Sequence, residues 1–231
     1  MKKIVTLCLA LILGLLLVAC TTPPENETPP ENETTPENVT PPENETTPEN
    51  ETTPKPELSR GTVENGVYQN EFLGVSFNKP ELWVYSTEEE IAALMNLVAD
   101  KLLNENLKET LENNPVIIDM MAIDPVSRSN LNITYENLAK TLATNITVEQ
   151  YIEVFKQRMS GTVGMTVTFT GEPETVKLGN VEFTRLLCNT TTNGVQMKQA
   201  IYLRKIDTYM ISVSVTIVSG YTVAEIEAMF E

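Results

Sequence analysis

The stretch from Thr175 onward sets the tightest constraint on the fold. Four runs rich in β-branched and aromatic residues follow one another: Thr175–Leu178, Val181–Asn189, Val195–Arg204 and Tyr209–Val218. The gaps between them are short, at Gly179-Asn180, at Asn193-Gly194 and around Asp207. Asn-Gly supplies the positive φ values that a two-residue hairpin turn requires, because that turn's twist matches the twist of the flanking strands. Runs of this length, punctuated this way, predict an antiparallel meander.

Upstream the periodicity changes. Thr87 with Glu90, and Thr147 with Gln150, are capping-box pairs, in which each side chain satisfies a free backbone N–H of the other's residue. The first opens a helix that places Ile91, Leu94, Met95, Val98 and Leu102 on one stripe. The second aligns Val148, Tyr151, Ile152, Phe155 and Met159, the spacing of an amphipathic face. Leu103, Leu107 and Leu111 fall on a different stripe, which predicts a bend or a second short helix near Asn104–Asn106. Phe72–Phe77, Val116–Ile123, Leu131–Tyr135 and Met165–Phe169 read as strands, and Thr222 with Glu225 caps a last helix carrying Val223, Ile226 and Phe230. Helices and antiparallel strands in separate runs predict an α+β domain over residues 59–231, with helices packed on the sheet. About 170 residues suffice for one domain with its own core.

Residues 20–58 are of another kind. A hexad beginning Pro24-Glu25-Asn26-Glu27-Thr28 recurs five times, with hardly an aliphatic residue and no aromatic one. Such a segment cannot bury enough apolar surface to offset the entropy of ordering it. It reads as a disordered stalk, extended by proline and like charge; at about 3.1 Å per residue it reaches about 120 Å at most. Each copy carries Asn-x-Thr, at Asn26, Asn32, Asn38, Asn44 and Asn50, the acceptor pattern for N-glycosylation. Repeat expansion copies whatever it starts from, so an unmodified acidic spacer explains the pattern equally. Ahead of the stalk, Lys2-Lys3, an apolar run to Ala19 and a small-residue end have the form of a signal peptide over residues 1–19. The run is short for a membrane span of about 20 residues. Leu17-Val18-Ala19-Cys20 resembles a lipobox. That resemblance implies a diacylglycerol on Cys20, cleavage before it and a palmitate-type anchor in the membrane's outer face; two acyl chains anchor stably where one is marginal.

Much chemistry is excluded. The 231-residue chain holds no histidine, which removes histidine-dependent triads and His-built zinc sites. Of three cysteines, Cys8 leaves with the signal and Cys20 takes lipid, so Cys188 stands alone and reads as a small buried apolar residue. No phosphate-cradling loop, Cys-x-x-Cys or calcium loop appears, and no cofactor or metal is expected. The net charge of −16 repels phosphates, so nucleic acid is not an expected partner. What remains is weak. Glu88-Glu89-Glu90 could hold a cation, but acids in a first helical turn complement the helix dipole without one. Asp119 and Asp124 bracket a strand and fall on opposite faces if it is regular. Trp83, Tyr85, Tyr135 and Tyr151 could line a cleft, or serve as core.

The order of elements resembles the Mog1/PsbP-like fold, an α/β/α sandwich. The likeness rests on Tyr68-Gln69-Asn70-Glu71-Phe72-Leu73-Gly74-Val75-Ser76-Phe77 with Pro80 and Trp83, on the helix with Phe155, and on the closing hairpins at Gly179–Phe183, Lys198–Tyr202 and Tyr209–Val213. What it implies is a small accessory protein of a larger assembly, with no functional residue carried over. The expectation is therefore a membrane-anchored, non-catalytic binding or accessory module with a protein partner at the cell surface. A solute-binding lipoprotein with a cleft near Trp83 is the alternative, and a carboxylate-only hydrolase a third.

Overall fold

The computed structural model describes residues 57–95 and 107–231. The signal segment, Cys20, the stalk with its five Asn-x-Thr sites, and Val98, Leu102, Leu103 and Asn104–Asn106 lie outside the described residues.

The described chain builds two sheets. β1 (Thr62–Glu64), β2 (Val67–Asn70) and β3 (Val75–Phe77) form a small antiparallel one. The large sheet has seven strands: β4 (Val84–Tyr85), β5 (Val116–Ile123), β6 (Asn130–Asn137), β7 (Met165–Leu178), β8 (Val181–Thr192), β9 (Val195–Ile206) and β10 (Tyr209–Ile217). Its order is β4-β5-β6-β10-β9-β8-β7, every pairing antiparallel. The expected meander is present as β7 to β10. Asn193 (φ 51) and Gly194 (φ 78) both take the positive φ that their turn demands. β10 then lies beside β6, so the meander closes onto the earlier β5–β6 hairpin. The two expected runs Met165–Phe169 and Thr175–Leu178 are one 14-residue strand, interrupted by a register shift between Thr170 and Glu174.

Five helices are described: α1 (Glu88–Leu94), α2 (Leu107–Asn113), α3 (Leu138–Thr141), α4 (Val148–Ser160) and α5 (Val223–Glu227). All three capping boxes form, at Thr87/Glu90, Thr147/Gln150 and Thr222/Glu225. Strand alternation sorts the core into two sides. On one side, α4 lays Tyr151, Ile152, Phe155 and Met159 on Leu186, Cys188, Ile201, Leu203 and Met210, while α1 lays Ile91 and Ala92 on Ile118 and Met121. On the other, the small sheet, α2, α5 and Trp83 cover Ile117, Ile133, Tyr135, Tyr202, Val213 and their neighbours. The separate leucine stripe has its cause here. Ile91 of α1 and Leu107 and Leu111 of α2 pack in different clusters, on opposite faces of the large sheet. One outer layer is thus helical, and the other combines helices with the three-stranded sheet.

The segment 229–231 adds to that small sheet. Glu231 N–H donates to Ser76 O, Ser76 N–H to Glu231 O and Asn78 N–H to Met229 O, at 3.1, 3.1 and 2.9 Å. A Cβ at Gly179 would stand 2.3 Å from the Glu231 backbone, and Gly179 sits at φ +59. Both the close approach and the left-handed backbone require glycine there.

Candidate functional site

The densest polar constellation centres on Asp119. It is the extra residue of a bulge, since Ile118 pairs with Thr134 and Met120 with Ile133. A bulge re-aims a side chain, and the Asp119 carboxylate, fully buried, meets donors from the chain just ahead of β1. Arg60 donates through Nε to Oδ1 at 3.0 Å and through Nη2 to the Asp119 carbonyl at 2.7 Å. Gly61 N–H and Asn70 Nδ2 each donate to Oδ2 at 3.0 Å, and Tyr68 Oη donates there too. Asn70 also donates to Tyr68 Oη and Tyr135 Oη, and Tyr135 Oη donates to Ser59 O at 3.2 Å. Burial pushes the Asp119 carboxyl above its ordinary range, against the opposing pull of Arg60 and the Tyr68 hydroxyl. The Tyr68 phenol is driven well above its usual pKa by burial first and the Asp119 charge second. A buried, perturbed carboxylate is a recognised sign of a functional site. Here both carboxylate oxygens accept from protein donors and the side chain is fully buried, so the cluster reads as a fastening. It staples Ser59–Gly61 to β5.

The other charged clusters fasten as well. Tyr151 Oη donates to Glu136 at 2.5 Å and Arg158 approaches the same carboxylate at 3.4 Å, tying α4 to β6. Arg185 bridges Glu174 and Glu227, and Tyr202 donates to Glu227 at 2.8 Å, tying α5 to the sheet. The acidic candidates dissolve into local roles. Glu88 pairs with Arg60 at 2.9 Å and Glu90 completes the α1 cap. Asp124 accepts from Val126 N–H and from Ser127 Oγ, closing the β5–β6 turn, and does not converge with Asp119. Among the described residues no group of three or more His, Cys, Asp or Glu could hold a metal ion. Cys188 is buried under α4, and burial pushes its thiol up to about 12.

The aromatic candidates separate. Tyr135 and Tyr151 are core residues with the hydroxyl partners just given. Tyr85 Oη donates to Phe77 O and accepts from Tyr68 N–H. Trp83 is buried, with its Nε1–H unpartnered among the described residues, and packs edge-on against Tyr221 at 5.5 Å between centroids. Tyr221 in turn walls a cleft of about 540 Å³, lined with Asn189, Thr191, Gln196, Lys198, Ile217 and Ser219 among others. The sequence reading pointed toward Trp83 but missed the cleft's own residues. The readable signal was a lack of charge: residues 159–171, 186–197 and 208–224 contain no Asp, Glu, Lys or Arg, in a chain that is 21% charged.

Strand direction brings part of each of these stretches to one end of the large sheet. The β5–β6 turn, the β8–β9 turn, the start of β7 and the exit from β10 all lie there, and so do the three most exposed large apolar side chains, Val163 (99%), Val126 (87%) and Leu82 (70%). The Ser59 strap lies elsewhere. Its anchor Tyr135 stands opposite Ile211, six residues before Ile217 on β10, about 20 Å along the strand.

Fold and site together define an α+β domain with a polar cleft at the charge-poor end of its main sheet. No protein-family model matches the chain, and no curated protein matches it. Solved structures of similar fold include the cyanobacterial PsbP (CyanoP) of Synechocystis sp. PCC 6803, at 10% identity and TM-score 0.43, covering 76% of this chain and 94% of that one. A Bacteroides thetaiotaomicron protein is similar at 12% identity and TM-score 0.38, covering 75% of this chain and 48% of its own. Neither likeness bears on function.

Proposed function

We propose that the folded domain is a non-catalytic binding or accessory module, held at the outer face of the cell membrane by lipid on Cys20 and spaced from it by the stalk. Its working surface is this charge-poor end of the sheet, where Asp124, Arg128 and Lys198 are the charges of the turn and cleft. The observation that carries this reading is the placement just described: cleft and exposed apolar side chains sit together, about 20 Å along the strands from the strap through which the stalk joins. Loss of charge favours contact surfaces, whose buried centres are depleted of charged residues. Among the described residues the acid clusters around Asp119, Glu136 and Glu227 serve as internal fastenings rather than as a facing carboxyl pair of the kind hydrolysis needs.

Photo-crosslinking in cells tests the surface. A photoreactive residue replacing Val163 or Val126 captures a discrete partner, while one replacing Asp207 at the opposite end does not. Equal capture at both ends, or none, refutes the assignment. The cleft also favours solute binding as a second reading, and a ligand seated there without any crosslinked protein would make that the function.

A further inference from the structure

The cleft's floor is one face of three adjacent strands. Register sets Thr191 opposite Gln196, Asn189 opposite Lys198, and Lys198 opposite Ile217, so the side chains stand in rows about 4.8 Å apart. Thr166 and Thr168 of the edge strand β7 continue the same face, opposite Thr191 and Asn189. The wall runs from Val218 to Tyr221, whose ring is held by Trp83. Among the described residues no carboxylate lines the cleft, although the chain carries 32 Asp and Glu.

Amides and hydroxyls both donate and accept hydrogen bonds, an aromatic ring offers an apolar face, and one ammonium is present. An apolar ligand would strip water from these amides without replacing it, at about 1–3 kcal/mol for each group left unpaired. A phosphate-rich ligand would call for guanidinium forks, and the cleft has none. The complement of this lining is a chain of hydroxyls on a puckered carbon frame. Its hydroxyls pair with Asn189, Thr191 and Gln196, and its C–H face lies on Tyr221.

We propose that the cleft binds a neutral, hydroxyl-rich glycan of a few sugar units. This rests on the reading of the domain as a binding module and names what it binds. Sugar recognition of this kind is insensitive to ionic strength, because no ion pair forms.

The test uses the full-length lipoprotein in detergent micelles, made in a host without N-glycosylation. Calorimetric titration with neutral hexasaccharides of glucose, mannose, galactose and N-acetylglucosamine is run beside anionic polygalacturonate. At least one neutral probe binds saturably and equally at low and physiological salt. Affinity falls by about tenfold or more in the double variant Asn189→Ala/Gln196→Ala, whose thermal unfolding matches the parent because both residues are exposed. Bound sugar slows amide exchange across residues 189–198. Three results overturn the proposal: no neutral probe binds, the double variant binds as well as the parent, or only polygalacturonate binds. If crosslinks through Val163 persist while no saccharide binds, the glycan assignment fails and the binding-module reading stands.

Discussion

Asp119 shows how much one side chain can organise when the backbone re-aims it. The bulge turns its carboxylate toward Arg60, Gly61, Tyr68 and Asn70, residues 49 to 59 positions away in sequence. Removing one partner of a buried pair strands the other, at about 3–5 kcal/mol. Asp119→Asn therefore destabilises the domain by about that much in urea unfolding, and loosens Ser59–Gly61 first in hydrogen exchange; a loss below about 1 kcal/mol would mean the strap is not held by charge. The tyrosines give a second residue-scale outcome. Burial pushes the phenols of Tyr68, Tyr135, Tyr151 and Tyr202 above their ordinary range, with the neighbouring Asp119 or a glutamate adding to it. Their folded pKa values exceed the unfolded ones. Their contribution to stability is therefore complete below about pH 10 and is lost as pH rises through the folded values. In an alkaline absorbance titration these four of the seven tyrosines ionise only as the protein unfolds. All seven ionising together in a still-folded protein would contradict this. None of these partnerships could be read from the sequence, because nothing local marks which distant groups a bulge will face.

At the scale of elements the sequence was far more legible. A capping box is four residues long and a helical stripe repeats within one turn, so both are complete in local sequence. All three boxes and the α4 stripe formed where the residues stood. Thr147→Ala removes the hydroxyl that accepts from Gln150 N–H and costs about 1 kcal/mol of stability, readable as a shift in the urea midpoint. Gly179 belongs to a different class. Its place in a turn was legible, but the Glu231 backbone 2.3 Å from a would-be Cβ was not. Gly179→Ala displaces residues 229–231 from β3 and adds the strain of a left-handed backbone, about 1–2 kcal/mol. Faster exchange at the Ser76 and Asn78 amides, which 229–231 protects, reports the displacement. Unchanged exchange there would show that the turn absorbs the methyl group by another route.

At the scale of the whole molecule the proposal is one of position: anchor, spacer, strap, domain, contact end. Cys20→Ala moves the protein from the membrane to the soluble fraction of the envelope if lipid is its only attachment, and leaves domain stability unchanged. Continued membrane association would point to a second anchor. Intact mass of the native protein reports any glycosylation as hexose increments beyond peptide and lipid, and peptide mapping assigns it to Asn26, Asn32, Asn38, Asn44 or Asn50 rather than to the Asn-x-Thr sites at Asn132, Asn145 and Asn189. Partner capture at the charge-poor end holds its yield as salt rises, because uncharged contacts are not screened. A steep fall with salt would shift attention to Lys198 and Arg128.

Sequence by itself determined the local events: where helices begin, where hairpins turn, which residues face inward, and that no histidine is present. Those properties depend on neighbours within a few positions, where chain connectivity already brings the interacting groups together. Only the tertiary structure decided that β10 lies beside β6, that α1 and α2 cover opposite faces, that Asp119 receives the incoming chain, and that residues 189–198 and 217–221 meet around one cleft. Each of these depends on packing between segments far apart in the chain, where many arrangements satisfy the same local pattern and the shared core selects one.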